Sequence, residues 1–362
     1  MKVLLVSVKS EKSKGGIAVW TNQYLAGCKN AGIDCDIVNT EAVGKIAVNA
    51  TAKRNIRDEF IRTRRINQQL KEYLKGEHYD VAHLNTSIGL LGIVRDYYVA
   101  RKIAKKGIPL VVHFHCDIPY WVRNPLVKLY LKKMLGLSNA NFVLCENSQQ
   151  YLKKEFGVES VMIPNFVEET LIVKEKQIRS KIEKVCFVGR VTLEKGAREI
   201  LETAQAFPNI QFQLAGEVTE EIASLTKSSN VEFLGLMSHD DIIYLLDEAD
   251  VFIFPSHTEG FSLALAESMV RGLPSVATNV GANASMLENH GGFVVEAGDV
   301  SSIKEAISKM QEASVRKEMS QWCIEKVRDN YTVTSVMNDF VSQYKRVMGD
   351  KNVGIYNKFK SK

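Results

Sequence analysis

The run HTEGFSLALAESMVRGLP, residues 257–274, holds the densest set of side chains fit for chemistry. It follows a strand-like stretch ending in Phe254-Pro255-Ser256, and a helical pattern begins near Phe261. Gly260 lets the backbone approach a ligand closely. The amides of Phe261, Ser262 and Leu263 would then open a helix N-terminus, which suits phosphate oxygens. Glu259 stands just before that helix and Glu267 two turns into it. Two carboxylates flanking a phosphate site suit neutral hydroxyls, one set at each end of a diphosphate. An isolated E-x7-E reads as a capping Glu and a solvated one. The Pro-Ser before it and the Gly-Leu-Pro strand entry after it favour a site.

A second run, Gly189-Arg190-Val191-Thr192-Leu193-Glu194-Lys195-Gly196, also lies between a strand (VCFV) and a helix. It puts two cations at the mouth of a strand, where open parallel sheets bind ligands. Arg190 and Lys195 there would neutralise a departing diphosphate. Gly15-Gly16-Ile17 follows the first strand, but matches neither G-x-G-x-x-G nor a P-loop, and alone it is an ordinary turn. His113-Phe114-His115 ends another strand, and period 2 puts both imidazoles on one face. Without supporting ligands the pair is no metal site, and His115 reads as a polar group facing a cleft. Asp34-Cys35-Asp36 has the form of a metal-holding D-x-D, yet it opens a strand far from the expected cleft. Ser238-His239-Asp240-Asp241 looks catalytic but has the form of a capping box, with Ser238 as N-cap. Six cysteines without C-x-x-C or zinc spacing read as buried, reduced thiols.

Elements able to position these residues repeat along the whole chain. Strand candidates are 3–8, 35–38, 81–84, 110–114, 141–145 and 160–163, then 184–188, 211–215, 231–234, 251–254, 274–278 and 292–295. Helical patterns lie between them at 17–31, 55–75, 92–106, 195–206, 239–248, 261–271 and 301–311. The alternation predicts α/β architecture with two doubly wound, Rossmann-like domains. The expected domains are 1–170 and 171–332, with a crossover helix and tail over 333–362 that packs back on the first. The break falls in the charged stretch 165–183, which has no clear place in either core. No apolar run approaches the roughly 18 residues of a membrane-spanning helix, and the N-terminus has no signal-peptide pattern. Both predict a cytoplasmic protein.

Charge is unevenly placed. Residues 1–170 hold 25 Lys+Arg against 16 Asp+Glu, within an overall net charge of +5. The excess gathers in Lys53–Lys75, with Arg54, Arg57, Arg62, Arg64, Arg65 and Lys71. It gathers again in Tyr120-Trp121 followed by Arg123, Lys128, Lys132 and Lys133, with Leu126, Val127, Leu129, Tyr130 and Leu131 interleaved. Aromatics beside a basic amphipathic helix suit peripheral contact with an anionic membrane on its inner face. The alternative is a solvated charged face over an ordinary core.

Assembled, these residues resemble a retaining glycosyltransferase of the GT-B fold, in glycosyltransferase family 4 (glycosyl transferases group 1). The likeness rests on G-R-x-x-x-x-K-G, matched by Gly189 to Gly196, and E-G-F-x-x-x-x-x-E, matched by Glu259 to Glu267. It implies two domains facing across a cleft and transfer of a sugar from a nucleotide-diphosphate sugar, UDP preferred, to a glycan or lipid-linked acceptor in cell-surface polysaccharide biosynthesis. By resemblance, Arg190 and Lys195 hold the donor diphosphate and Glu259 faces the sugar hydroxyls. Gly260, Phe261 and Ser262 sit near sugar and phosphate, Glu267 takes the ribose hydroxyls, and Met237 lies in the stretch that meets the nucleobase. Gly16 matches a first-domain glycine near the phosphate, and His115 a histidine near the transferred sugar. No cofactor, metal or nucleic acid is implied. Pro164-Asn165-Phe166-Val167-Glu168 departs from the family's P-N-G-V-D, and Ser262 replaces its usual Gly or Pro. A non-catalytic nucleotide-sugar-binding subunit and a sugar-nucleotide epimerase are the rival readings.

Overall fold

The computed structural model describes residues 1–10, 16–44, 55–86 and 88–349. Gly15, Lys53, Arg54 and the tail beyond 349 therefore lie outside the described residues. The chain forms two compact units, Met1–Asn165 with the closing helix Val333–Gly349, and Phe166–Thr332. Each is built on a six-stranded parallel sheet.

In the first unit the strands are β1 (Lys2–Ser7), β2 (Asp34–Asn39), β3 (Val81–Thr86), β4 (Leu110–Phe114), β5 (Ala140–Val143) and β6 (Val161–Met162), ordered 2-1-3-4-5-6. Val3, Leu4, Leu5 and Val6 are fully buried. A parallel strand is covered on both faces, and this is why the run is continuously apolar. β5 and β6 are shorter than expected. Cys145 leaves the sheet as N-cap of the helix Glu146–Phe156, so the strand ends at Val143. That helix falls in a stretch assigned no element above, whereas Pro125–Leu135 is the basic amphipathic helix expected beside Tyr120-Trp121. The second has a legible start: Asn124 Oδ1 accepts from the Leu126 amide, with Pro125 at the first helical position.

The helix Gly16–Asn30 and the closing helix pack together within this unit. Tyr24 and Tyr344 share a hydroxyl–hydroxyl bond of 2.6 Å. A Cβ on Gly27 would stand 2.7 Å from Met337 Cγ and 2.9 Å from Val333 Cγ1. Gly27→Val should therefore cost about 1–3 kcal/mol by overpacking, read as a lower urea midpoint; an unchanged midpoint would mean the two helices do not meet there.

The second unit holds β7 (Lys184–Val188), β8 (Gln211–Ala215), β9 (Val231–Gly235), β10 (Val251–Phe254), β11 (Ser275–Thr278) and β12 (Gly292–Val295). Their order is 12-11-10-7-8-9. Of the stretch 165–183, expected to have no clear place in either core, the part from Phe166 onward is fastened to this unit. Buried Lys176 donates to the carbonyls of Leu246 (3.0 Å) and Asp247 (2.8 Å), at the end of the helix His239–Glu248. Arg179 reaches the Glu248 carbonyl and Asp250, and buried Arg316 donates to the Arg179 carbonyl. Cations that satisfy terminal helix carbonyls are structural, although in sequence they read as solvated charge.

Candidate active site

Numbered from its own first strand, the second sheet runs 6-5-4-1-2-3. The chain's winding reverses between β7 and β10, and ligands of such sheets bind beyond the carboxyl ends of the strands at that point. The two loops leaving there are 189–196 and 255–262, the same two runs that the sequence singles out.

Close backbone approach holds the loops together. Gly196 has φ +77°, and a Cβ on it would overlap the Pro255 carbonyl; Gly281, at φ +56°, lies equally close under the Glu259 carbonyl. The His257 amide donates to the Glu194 carbonyl at 2.9 Å, and His257 Nε2 meets Glu199 Oε1 at 2.7 Å. Thr192 Oγ1 accepts from the Lys195 amide and fixes the single 3-10 turn Leu193–Lys195. From that turn Lys195 Nζ reaches Glu259 Oε1 at 2.6 Å and the Thr258 carbonyl at 3.3 Å. The ion pair is mostly shielded, with side-chain exposures of 18% and 13%. Arg190, by contrast, is exposed and has no ion pair among the described residues.

The helix after the second loop begins later than the sequence pattern indicates, at Leu263 rather than near Phe261. Ser262 is its N-cap, and its Oγ accepts from the Leu265 amide at 3.1 Å. A side-chain oxygen at that position makes the better cap, and the Phe261 ring is spent on the core, edge-on to Tyr331 at 5.3 Å. The Gly260 carbonyl accepts from Ala282. The amides of Leu263 and Ala264 therefore lead this helix in place of Phe261 and Ser262. Glu267 lies further along it, and its Oε1 stands 3.2 Å from His239 Nε2. Half-buried Met237 occupies the loop between β9 and the helix His239–Glu248. Ser238 caps that helix as expected, accepting from the Asp241 amide at 3.1 Å.

In the first unit the strand order reverses between β1 and β3. There Ser7 Oγ meets Thr21 Oγ1 at 2.7 Å and accepts from Asn85 Nδ2 at 2.9 Å, a network the sequence reading missed. Gly16 is the exposed first residue of its helix. His115 follows β4, with its ring 4.2 Å from that of His113 and 4.9 Å from Trp20. The same-face pairing of His113 and His115 is as period 2 requires, and His83 from β3 joins the layer. Asp34 and Asp36 sit on β2 at the opposite ends of the strands. Lys2 Nζ lies 3.5 and 3.4 Å from them, and Tyr79 donates to Asp36. Among the described residues, no group of three or more His, Cys, Asp or Glu is placed to hold a metal ion.

The second unit thus offers two cations, an open helix start and two carboxylates around one switch point. That set can bind an anion flanked by hydroxyl groups. Comparison with known proteins gives the same direction. The family model described as Glycosyltransferase Family 4 matches residues 14–171, and Glycosyl transferases group 1 matches 168–329. The UDP-Gal:alpha-D-GlcNAc-diphosphoundecaprenol alpha-1,3-galactosyltransferase of Escherichia coli is 26% identical over 308 residues, covering 76% of this chain and 77% of that protein. N-acetyl-alpha-D-glucosaminyl L-malate synthase of Bacillus anthracis is 22% identical over 79% of this chain and 80% of its own. The solved sucrose-phosphate synthase of Thermosynechococcus elongatus superimposes with a TM-score of 0.79 at 16% identity, covering 96% of this chain and 99% of that one. With the two family models spanning both units in turn, the chain belongs to glycosyltransferase family 4 and is a glycosyltransferase of the GT-B fold.

Proposed function

We propose that the chain moves a sugar from a UDP-sugar to a lipid-linked glycan acceptor in cell-surface polysaccharide synthesis, with retention of configuration and without a metal. The observation that carries this reading is the Lys195–Glu259 pair, which joins the two motif loops at the switch point. In the reaction Lys195 and Arg190 take the diphosphate, the amides from Gly260 to Ala264 lie beside phosphate and sugar, and Glu259 turns to the sugar hydroxyls. Glu267 takes the ribose, the Met237 loop takes the base, and Gly16 and His115 serve the phosphate and the transferred sugar from the first unit. The acceptor hydroxyl attacks the anomeric carbon on the face the diphosphate leaves. The C1–O bond breaks with its electron pair passing to the phosphate, which accepts the acceptor's proton. Two cations and a helix start stabilise that developing charge, the task a metal performs elsewhere.

The lipid-linked acceptor is suggested by the printed name of the Escherichia coli relative and by one surface. Of the two basic stretches, Ile56–Gly76 is the weaker candidate. Arg62 donates to the Thr40 carbonyl and pairs with Glu59, and Arg65 donates to the Glu41 carbonyl, so neither faces outward as expected. The helix Pro125–Leu135 buries Val127 and Leu131 but exposes Leu126 and Leu129. Beside it are exposed Trp121 and the Arg123 guanidinium over the Tyr120 ring. Lys128 is held by Glu155, and Arg123 and Lys132 are exposed on the same stretch. Among the described residues, no helix is long and apolar enough to cross a membrane.

One experiment tests the whole reading: UDP-sugars offered with polyprenyl-diphosphate-linked acceptor in anionic vesicles, under excess EDTA. The expected result is vesicle-bound enzyme at low salt and a product that keeps the donor's anomeric configuration. Inversion, a need for Mg²⁺ or Mn²⁺, or protein left in the supernatant would each overturn its part of the reading.

A further inference from the structure

His239 enters the sequence as part of a helix cap and has no role there beyond it. In the structure its side chain leaves the first turn of His239–Glu248 and meets a carboxylate 28 residues away, with Nε2 3.2 Å from Glu267 Oε1. Glu267 is 15% exposed, and His239 is the side-chain partner of its carboxylate among the described residues. The charged groups around the imidazole are Glu267, Glu168 and Asp240, and Asp241 is turned to the Ser238 hydroxyl. The hydrogen bond to Glu267, with the field of these carboxylates, raises the His239 pKa above its ordinary value and makes the contact charge-assisted.

A glutamate has three rotatable side-chain bonds, and holding it still for a ligand costs entropy. Its carboxylate offers about four lone-pair sites. One spent on His239 leaves both sites of Oε2 and one of Oε1, enough for two vicinal hydroxyls. We propose that His239 is a positioning residue, holding the Glu267 carboxylate in the orientation that accepts the 2′ and 3′ hydroxyls of a nucleoside diphosphate. The inference rests on the donor-binding role given to Glu267 above.

The test measures binding by calorimetry, using whichever of UDP and GDP the protein binds more tightly, together with its 2′,3′-dideoxy counterpart. His239→Ala should weaken the ribonucleotide by about fivefold to twentyfold, at and below the low end for losing a charge-assisted hydrogen bond because the His239 side chain is 56% exposed, and the dideoxy nucleotide by less than about twofold. His239→Gln, which keeps a donor, should recover most of the loss. Glu267→Gln should abolish the preference for the ribonucleotide, and adding His239→Ala to it should cost nothing more. Equal losses for both nucleotides, or no loss for either, overturn the positioning role while leaving Glu267 in place. A ribonucleotide preference that survives Glu267→Gln removes the role of Glu267 itself, and that of His239 with it.

Discussion

Lys195→Ala should lower kcat/KM by on the order of 10²-fold or more, because under the donor role proposed above it removes charge stabilisation that grows as the diphosphate departs. Arg190→Ala does the same through an exposed side chain, so its thermal midpoint stays at the wild-type value. Glu259→Gln separates the two jobs of this loop. In the free protein Glu259 neutralises Lys195 across 2.6 Å. Without that charge, Lys195 is released to phosphate, and affinity for the free nucleoside diphosphate holds or rises. Turnover of the nucleotide sugar falls, because the sugar hydroxyls lose their acceptor. Steady-state kinetics beside calorimetry with the diphosphate reads both signs. Near-wild-type turnover in the Arg190 and Lys195 variants, or a Glu259→Gln protein that binds the diphosphate more weakly, would remove the diphosphate site from these loops.

The two loops of this candidate site were legible because each is contiguous in sequence and sits between a strand and a helix. Gly189 to Gly196 and Glu259 to Glu267 each carry their own glycine, charge and helix start, and the sheet order brings them together. The parallel sheets were legible because their central strands, such as β1, β7 and β10, are covered on both faces and nearly continuously apolar. What escaped depends on partners distant in sequence. Lys176 and Arg179 look like solvated charge until the helix carbonyls they satisfy are known. His239 looks like a cap residue until Glu267 is folded against it. The start of the helix at Leu263 turned on one choice, Phe261 for the core and Ser262 for the cap, and a hydrophobic pattern weighs only the first. The same-face pair His113 and His115 was legible, but the joining of His83 and the rings that cover all three escaped, because histidines on neighbouring strands reveal nothing of what covers them.

Trp20, Tyr24 and Phe340 cover that layer, and the covering makes the first unit sensitive to acid. Burial, helped by the neighbouring His115, pushes the His83 pKa down to about 3; burial alone does the same to His115, at about 3. His113 is driven well below its ordinary value by burial and by both neighbours. All three are therefore neutral in the folded protein at physiological pH, with His83 Nδ1 bonded to the Tyr344 hydroxyl at 2.5 Å. In the unfolded chain a histidine titrates near 6.5. Between about 6.5 and 3 the unfolded state binds more protons than the folded one, so stability rises with pH across that window. It is fully present above pH 7 and falls as pH drops through the unfolded value. Each group contributes a slope approaching 1.36 kcal/mol per pH unit, so the three together approach about 4 kcal/mol per unit near pH 5. Raised carboxyl pKa values at Asp117 and Asp339 act in the opposite sense, since those groups take their proton first in the folded state. Urea unfolding from pH 7.5 to 5, followed by hydrogen exchange of the first unit's amides, should show a stability loss that steepens below pH 6.5. His83→Gln, which cannot titrate, should flatten that slope by about one proton's worth. A first unit equally stable at pH 7 and pH 5 would mean that the histidines are hydrated and charged in the folded protein, and that the layer is no part of its core.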